Sequence, residues 1–425
     1  TFATTKFILN FLMVILVIAS IEIQIYFGYN FGNEIVKIVL YLYVIRFFIY
    51  NINKIFNGIF NAKLEVAKKV VPTTFSRLLM MILKVTIALI FYETLGVEYL
   101  IGAEIVAAIF LTFLYFFFIK NIEFQSFNWQ YFKLYSSFAL PAIFIGLVSG
   151  LNNSVDKVII QYFLGSEYVG VYAISERLSL FLLVFSTSIT KLLFPSFSSL
   201  YSQNKLNKIN NLSRLSTKYV SLSLLPIILF FLIFTQDILF LLFGSGSEKS
   251  IEVLQILVIS AYILAISLPY SIQITSTGHL KQSFYVSLFA LLINFSFNIL
   301  FIPDSFLNFP CLGLGVVGAG YSFLLSASFI AITGIYYSNK FTSSIFYQNI
   351  WKHLVAGLLV FYVVSNVYQH FFNLYVLPFY GILIALLFVI ALYIIGEFKR
   401  SDLNFYFKLM SPSSMSDYIS KEIRN

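Results

Sequence analysis

Long apolar stretches, broken at regular intervals by short polar ones, set the pattern of this chain. Twelve runs stand out, at 6–27, 33–53, 77–92, 100–119, 138–163, 171–190, 219–235, 251–272, 284–302, 315–338, 353–367 and 375–396. A helix rises 1.5 Å per residue, so each run is close to the length needed to cross about 30 Å of hydrocarbon. The third and eleventh are the shortest. The pattern predicts twelve membrane-crossing helices. The first run carries Glu22 and Gln24 and lacks a small-residue cleavage site, so it reads as a span rather than a signal peptide.

Charge placement sharpens this picture. The chain has 425 residues, 60% hydrophobic and only 11% charged, which excludes a soluble domain of this length. If the first residue is cytoplasmic, 21 of the 27 Lys and Arg fall in inner connections and tails, five fall within spans, and only Lys249 lies outside. That asymmetry is what the positive-inside rule demands. The net charge of +9 then reflects loops beside anionic headgroups, with no nucleic acid as partner. A lone cysteine, Cys311, forms no internal disulfide, and His279, His353 and His370 are too scattered for a metal set, so no cofactor or metal is expected.

The outer connections are short, the longest at 236–250 and 303–314, whereas the inner ones at 54–76, 120–137 and 191–218 are larger. The middle one carries Phe127, Trp129, Tyr131 and Phe132 among polar residues, the composition of a segment lying in the membrane interface. The expected organisation is an amino-terminal bundle of four spans (1–120), an interfacial linker (121–137), a second bundle of six spans (138–340), two further spans (341–396) and a cytoplasmic tail (397–425). A faint repeat accompanies it. Ile101-Gly102-Ala103 recurs as Val317-Gly318-Ala319, and the same offset of 216 carries Ala62-Lys63-Leu64 onto Gly278-His279-Leu280. Extended backward, the offset sends residues 140–172 to positions before Thr1. The expectation is a fourteen-span protein without its first helix pair.

Five cations lie inside apolar spans: Lys37, Arg46, Lys84, Lys157 and Arg177. Each costs roughly 2.5–3.5 kcal/mol at the bilayer centre on insertion scales, so retained cations point to a wet, cationic cavity that attracts anions. Arg46 and Lys84 fall near mid-membrane. The nearby acids Glu22, Glu34 and Glu104 are expected at the outer edge, leaving an excess of cation. In the fifth and sixth spans Asp156 and Lys157 face Glu176 and Arg177, with the expected pairs Asp156–Arg177 and Lys157–Glu176. Such pairs either lock the hairpin or act as an outer gate or proton-linked switch. Asn294 and Asn298, one turn apart, read first as helix-to-helix hydrogen bonding and second as a sugar contact. The string Gly313-Leu-Gly315-Val-Val-Gly318 lacks the strand and the acidic residue of a dinucleotide site, and its glycines suit close helix packing instead.

The order Asp156, Leu164-Gly165, Val169-Gly170-Val171-Tyr172 and Leu193-Phe194-Pro195, then Gly278-His279-Leu280-Lys281 and Gly315, Gly318 and Ala319, resembles the polysaccharide repeat-unit flippases (Wzx-type) of the multidrug/oligosaccharidyl-lipid/polysaccharide exporter superfamily. The similarity covers about residues 49 to 340 and departs from the family in its absent first helix pair. It implies an all-α polytopic fold with two facing bundles. It also implies a non-enzymatic flippase in a bacterial plasma membrane, moving an undecaprenyl-diphosphate-linked oligosaccharide repeat unit for polymers such as O-antigen, lipopolysaccharide or capsule. Partners would then be the lipid-linked glycan, the bilayer, and the polysaccharide polymerase and chain-length machinery. On that reading Arg46, Lys84, Lys37 and Arg177 bind the diphosphate, and Asp156, Lys157 and Glu176 gate or neutralise the site. A small-molecule exporter of the same superfamily is the alternative, although cationic drugs call for acidic cavities. A membrane glycan polymerase is another, although such enzymes carry a large outer loop with basic catalytic residues.

Overall fold

The computed structural model describes residues 2–26, 34–62, 65–90, 96–118, 128–244, 246–368, 377–400 and 402–403. Among these, twelve helices are long and apolar enough to cross a bilayer, matching the expected number. The chain divides into two compact units, residues 1–137 and residues 138–403.

The first unit contains α1 (Phe2–Tyr26), α2 (Glu34–Ala62), α3 (Val66–Ile90) and α4 (Val97–Phe118). α4 packs on both α2 and α3, and α1 packs on α2. Small residues make the close approach possible. Ala103 and Ala107 are buried on α4, and the buried Ser76 hydroxyl of α3 donates to the Ala107 carbonyl at 2.7 Å. Toward the other end Phe56, Phe60 and Tyr115 form an aromatic core, with the Tyr115 hydroxyl donating to Asn57 at 2.7 Å. Asn53 closes the α2–α4 seam by donating to the Ala108 carbonyl and accepting from Thr112, both at 3.0 Å.

The second unit is built around α9 (Ile251–Ser276), which is apolar on every face and therefore central. Against it pack α6 (Ser166–Ser202), α7 (Leu206–Ile233) and α11 (Gly315–Thr342), with α10 (Leu280–Phe301) on α11. α12 (Ile350–Tyr368) and α13 (Leu377–Ile394) pack on each other and on α7. A cluster of Ile159, Tyr172, Val253, Leu257, Ile302 and Val316 fills one end of the unit. Leu193, Phe197 and Ile209 form a smaller cluster elsewhere.

Several boundaries differ from the sequence pattern, for one reason: falling hydropathy does not end a helix. α5 runs unbroken from Trp129 to Phe163, so the expected interfacial linker is, from Trp129 onward, the opening of that helix. The boundary between the two units lies inside α5. α3 begins at Val66 and continues through Pro72, well before the apolar run at 77. Two of the connections expected on the outer side also carry structure. α8 (Thr235–Phe243) is too short to span, and a two-stranded hairpin pairs β1 (Ser305–Phe306) with β2 (Phe309–Pro310). Phe127, Lys63 and Leu64, and the tail from 404 on, lie outside the described residues.

Glycine decides one junction. A Cβ at Gly318 would stand 2.8 Å from the Phe301 backbone, so only glycine lets the start of α11 press against the end of α10. Gly318 is thus a packing device, as its context predicts, whereas Gly313 and Gly315 hold left-handed backbone at φ +63° and +59°.

Candidate functional site

Each unit holds a group of polar side chains that includes residues singled out in the sequence. In the first unit Arg46 on α2, Lys84 on α3 and Glu104 on α4 converge. The Arg46 Nε contacts Glu104 Oε2, and the Lys84 ammonium meets Glu104 Oε1 at 2.5 Å. Their side chains are 40%, 34% and 21% exposed, so the cluster is accessible rather than sealed. The Arg46 guanidinium also lies 5.5 Å from the centre of the Tyr43 ring. This corrects the expectation of unpaired cations. Glu104 belongs to the cationic site and not to the outer edge, because α4 starts at Val97, before the apolar run at 100.

One carboxylate between two cations leaves a single uncompensated positive charge. The Glu104 carboxylate meets the guanidinium at Nε, and the guanidinium also carries its terminal Nη pair. That pair has the fork geometry that matches phosphate oxygens. Lys37 is exposed on α2, about 13 Å from Arg46 along the helix, and has no ion pair among the described residues.

In the second unit the hairpin of α5 and α6 turns at Leu164-Gly165. Gly165 has φ +92°, a conformation that L side chains rarely adopt, and its N–H and that of Leu164 both reach back to the Ile160 carbonyl. This turn brings Lys157 to Glu176, and the Lys157 ammonium donates to both Glu176 carboxylate oxygens at 2.9 and 2.8 Å, as expected. The other expected pair does not form. Asp156, 1% exposed, accepts from the Tyr172 hydroxyl at 2.9 Å and from Asn298 Nδ2 at 2.7 Å. Arg177 is exposed and has no acidic partner among the described residues. The physical reason is burial: a short carboxylate at the hairpin core is satisfied by neutral donors already there, and the long guanidinium stays in the open.

Asn298 Nδ2 also donates to Asn294 Oδ1 at 3.1 Å, and Asn294 Nδ2 to Asn152 Oδ1 at 3.4 Å. The two asparagines therefore tie α10 to α5, the favoured sequence reading. Asn298 Oδ1 is buried without a hydrogen-bond partner. Beyond this ladder, Ser149, Asn152, Asn153, Ser287 and Ser326 line a cavity of about 170 Å³. Tyr172 is the residue whose role the sequence did not disclose. The available signal was its separation from Leu164 at the turn, equal to that of Asp156, which sets the two opposite each other.

Comparisons with known proteins follow the same lines. A family profile described as "Polysaccharide biosynthesis protein" matches residues 1–252. Over 217 residues, 51% of this chain, the sequence is 22% identical to an uncharacterized membrane protein of Methanocaldococcus jannaschii, and the match spans 47% of that relative's length. Among solved structures, the lipid II flippase MurJ in an inward closed conformation superposes with a TM-score of 0.68 at 15% identity, covering 96% of this chain and 85% of MurJ. An outward-facing multidrug resistance MATE family transporter of the MOP superfamily gives 0.64 at 15% identity, over 80% of this chain and 78% of that one. A MOP superfamily transporter from Pyrococcus furiosus, described as having a binding pocket of reversed polarity, gives 0.65 at 15% identity, over 80% and 77%. The fold is that of the MOP transporters.

Proposed function

This chain belongs to the family of polysaccharide biosynthesis proteins, and we propose that it is a flippase that carries an undecaprenyl-diphosphate-linked oligosaccharide from the cytoplasmic to the outer leaflet of a bacterial plasma membrane. The observation that carries this reading is the sharing of Glu104 by Arg46 and Lys84 within membrane-spanning helices. The carboxylate stands in for an anion while the site is empty. An arriving diphosphate, with more charge and more acceptor oxygens, displaces it and takes the bidentate face of Arg46 and the Lys84 ammonium. Lys37 continues the cationic track along α2, and Arg177 offers a further open cation in its own unit. The Lys157–Glu176 bridge, which joins α5 to α6, is the proposed gating contact, with Asp156 as its buried neighbour.

No bond is made or broken in this cycle; binding energy is spent on desolvating the headgroup. The two termini of this chain are cytoplasmic on this reading, which the distribution of Lys and Arg supports. O-antigen, capsule and related polymers all present the same diphosphate, and the polymerase and chain-length machinery act on the delivered unit.

The test is Arg46→Ala in reconstituted vesicles. Removing the fork costs about 2–3 kcal/mol of charge-assisted binding, so delivery of a lipid-diphosphate glycan falls by about 30- to 150-fold while insertion is unchanged. Wild-type delivery by correctly inserted Arg46→Ala protein would refute the assignment.

A further inference from the structure

A second cationic site, made of residues distinct from those of the Glu104 cluster, lies between α1 and α2. The two helices are antiparallel: Phe7 meets Phe48 edge-on with centroids 6.2 Å apart, and Tyr41 reaches back to Glu22. The start of α1 therefore lies beside the end of α2, and between them opens a cavity of about 210 Å³. Lys6, Asn10, Asn51 and Lys54 supply its polar walls, and Met13 and Phe47 are among its apolar ones. No carboxylate is among the lining residues. The like charges of Lys6 and Lys54 repel each other, and the Lys54 ammonium lies 4.8 Å from the centre of the Tyr50 ring.

Asn10 supplies an independent observation. It is 6% exposed, its Nδ2 donates to the Phe48 carbonyl at 3.0 Å, and its Oδ1 is buried with no partner. A buried acceptor left empty costs about 1–3 kcal/mol, so the cavity calls for a donor as well as an anion. The apolar walls lie deeper along both helices than the lysines. Leu9, Met13 and Phe47 remain 55%, 47% and 42% exposed, a track on which a hydrocarbon tail fits. Ammonium groups at the rim, an unfilled acceptor inside and an apolar track beyond follow the order of groups in a lipid.

We propose that the cleft between α1 and α2 binds a membrane lipid whose headgroup joins a phosphodiester to a free hydroxyl. The phosphodiester oxygens accept from Lys6, Lys54 and the second Asn51 N–H, since the first is held by the Phe47 carbonyl at 3.1 Å. The hydroxyl donates to Asn10 Oδ1. The site does not rest on the proposed cargo, because none of its residues belongs to the Arg46–Lys84–Glu104 cluster.

The experiment is native mass spectrometry of the full chain released from micelles containing phosphatidylglycerol, phosphatidylmethanol or phosphatidylcholine with matched acyl chains. Retention of phosphatidylglycerol about tenfold above phosphatidylcholine, and about fivefold above the hydroxyl-free phosphatidylmethanol, is expected. The Lys6→Gln/Lys54→Gln pair abolishes the first preference, Lys6→Arg/Lys54→Arg keeps it, and Asn10→Ala abolishes only the second. Arg46→Ala keeps both, which separates this site from the cargo site. Equal retention of phosphatidylglycerol by wild type and by a Gln pair with unchanged melting overturns the proposal. So does its displacement by millimolar inorganic phosphate, which marks a free-phosphate site.

Discussion

Glu104 holds two cations at once, and this makes it the residue on which the cationic site turns. On the proposed function, its carboxylate competes with the incoming diphosphate for Arg46 and Lys84, both of which it contacts. Removing its charge has opposite effects on binding and release. In Glu104→Gln the neutral amide no longer competes, so a prenyl diphosphate binds about tenfold more tightly while turnover in vesicles drops, because nothing reclaims the cations when the ligand leaves. Affinity by microscale thermophoresis beside a flipping assay separates the two. Weaker binding in Glu104→Gln, as in Arg46→Ala, would show the carboxylate to be a scaffold and not a competitor. The Arg46 and Lys84 positions were legible in the sequence because charges in apolar runs are conspicuous. Their shared partner was not, because periodicity places an acid on a span but does not say which neighbouring helix it meets.

At the scale of elements, the segment after α13 is held by charge rather than by apolar contact. Asp402, 3% exposed, accepts from the Lys218 ammonium at 2.8 Å, the Tyr219 hydroxyl at 3.1 Å and the Lys399 backbone N–H at 2.9 Å. Glu397 beside it accepts from Tyr347 and from Asn349 Nδ2 at 2.9 Å, and lies 3.4 Å from Lys352. Burial works against the ionised Asp402, and the Lys218, Lys399 and Tyr219 donors outweigh it, so its carboxyl is held below the usual range. A depressed carboxylate contributes stability in full above its unfolded value near 4, and that stability is lost as pH falls through the lower folded value. Thermal unfolding in detergent should therefore show Tm steady from pH 7 to about 5 and falling below about 4. Lys218→Met leaves the carboxylate buried and unpaired, costs about 3 kcal/mol at neutral pH and moves the acid loss to higher pH. An identical Tm profile in wild type and Lys218→Met would show that the clamp contributes nothing.

For the molecule as a whole, orientation is the property that charge alone predicts. Lys249 stands by itself on the side assigned as outer, whereas Lys205, Lys208 and Arg214 lie on the inner side. In a Cys311→Ser background, Lys249→Cys should react with a membrane-impermeant maleimide in intact cells. Lys208→Cys should react only after permeabilisation. The reverse pattern would invert the topology and with it the direction of transport.

Hydrophobic patterning by itself determined the number of helices long and apolar enough to span and their class. Those features depend on local composition against a bilayer some 30 Å thick. The motif order around Leu164-Gly165 likewise announced a tight helical hairpin, because a left-handed backbone selects glycine. Tertiary structure alone decided the partners. Asp156 turned to Tyr172 and Asn298 instead of Arg177, Glu104 joined Arg46 to Lys84, and Asn10 came to line one cavity with Lys6 and Lys54. A buried polar group takes whichever donor the packing brings within 3 Å, and packing is a property of several helices together.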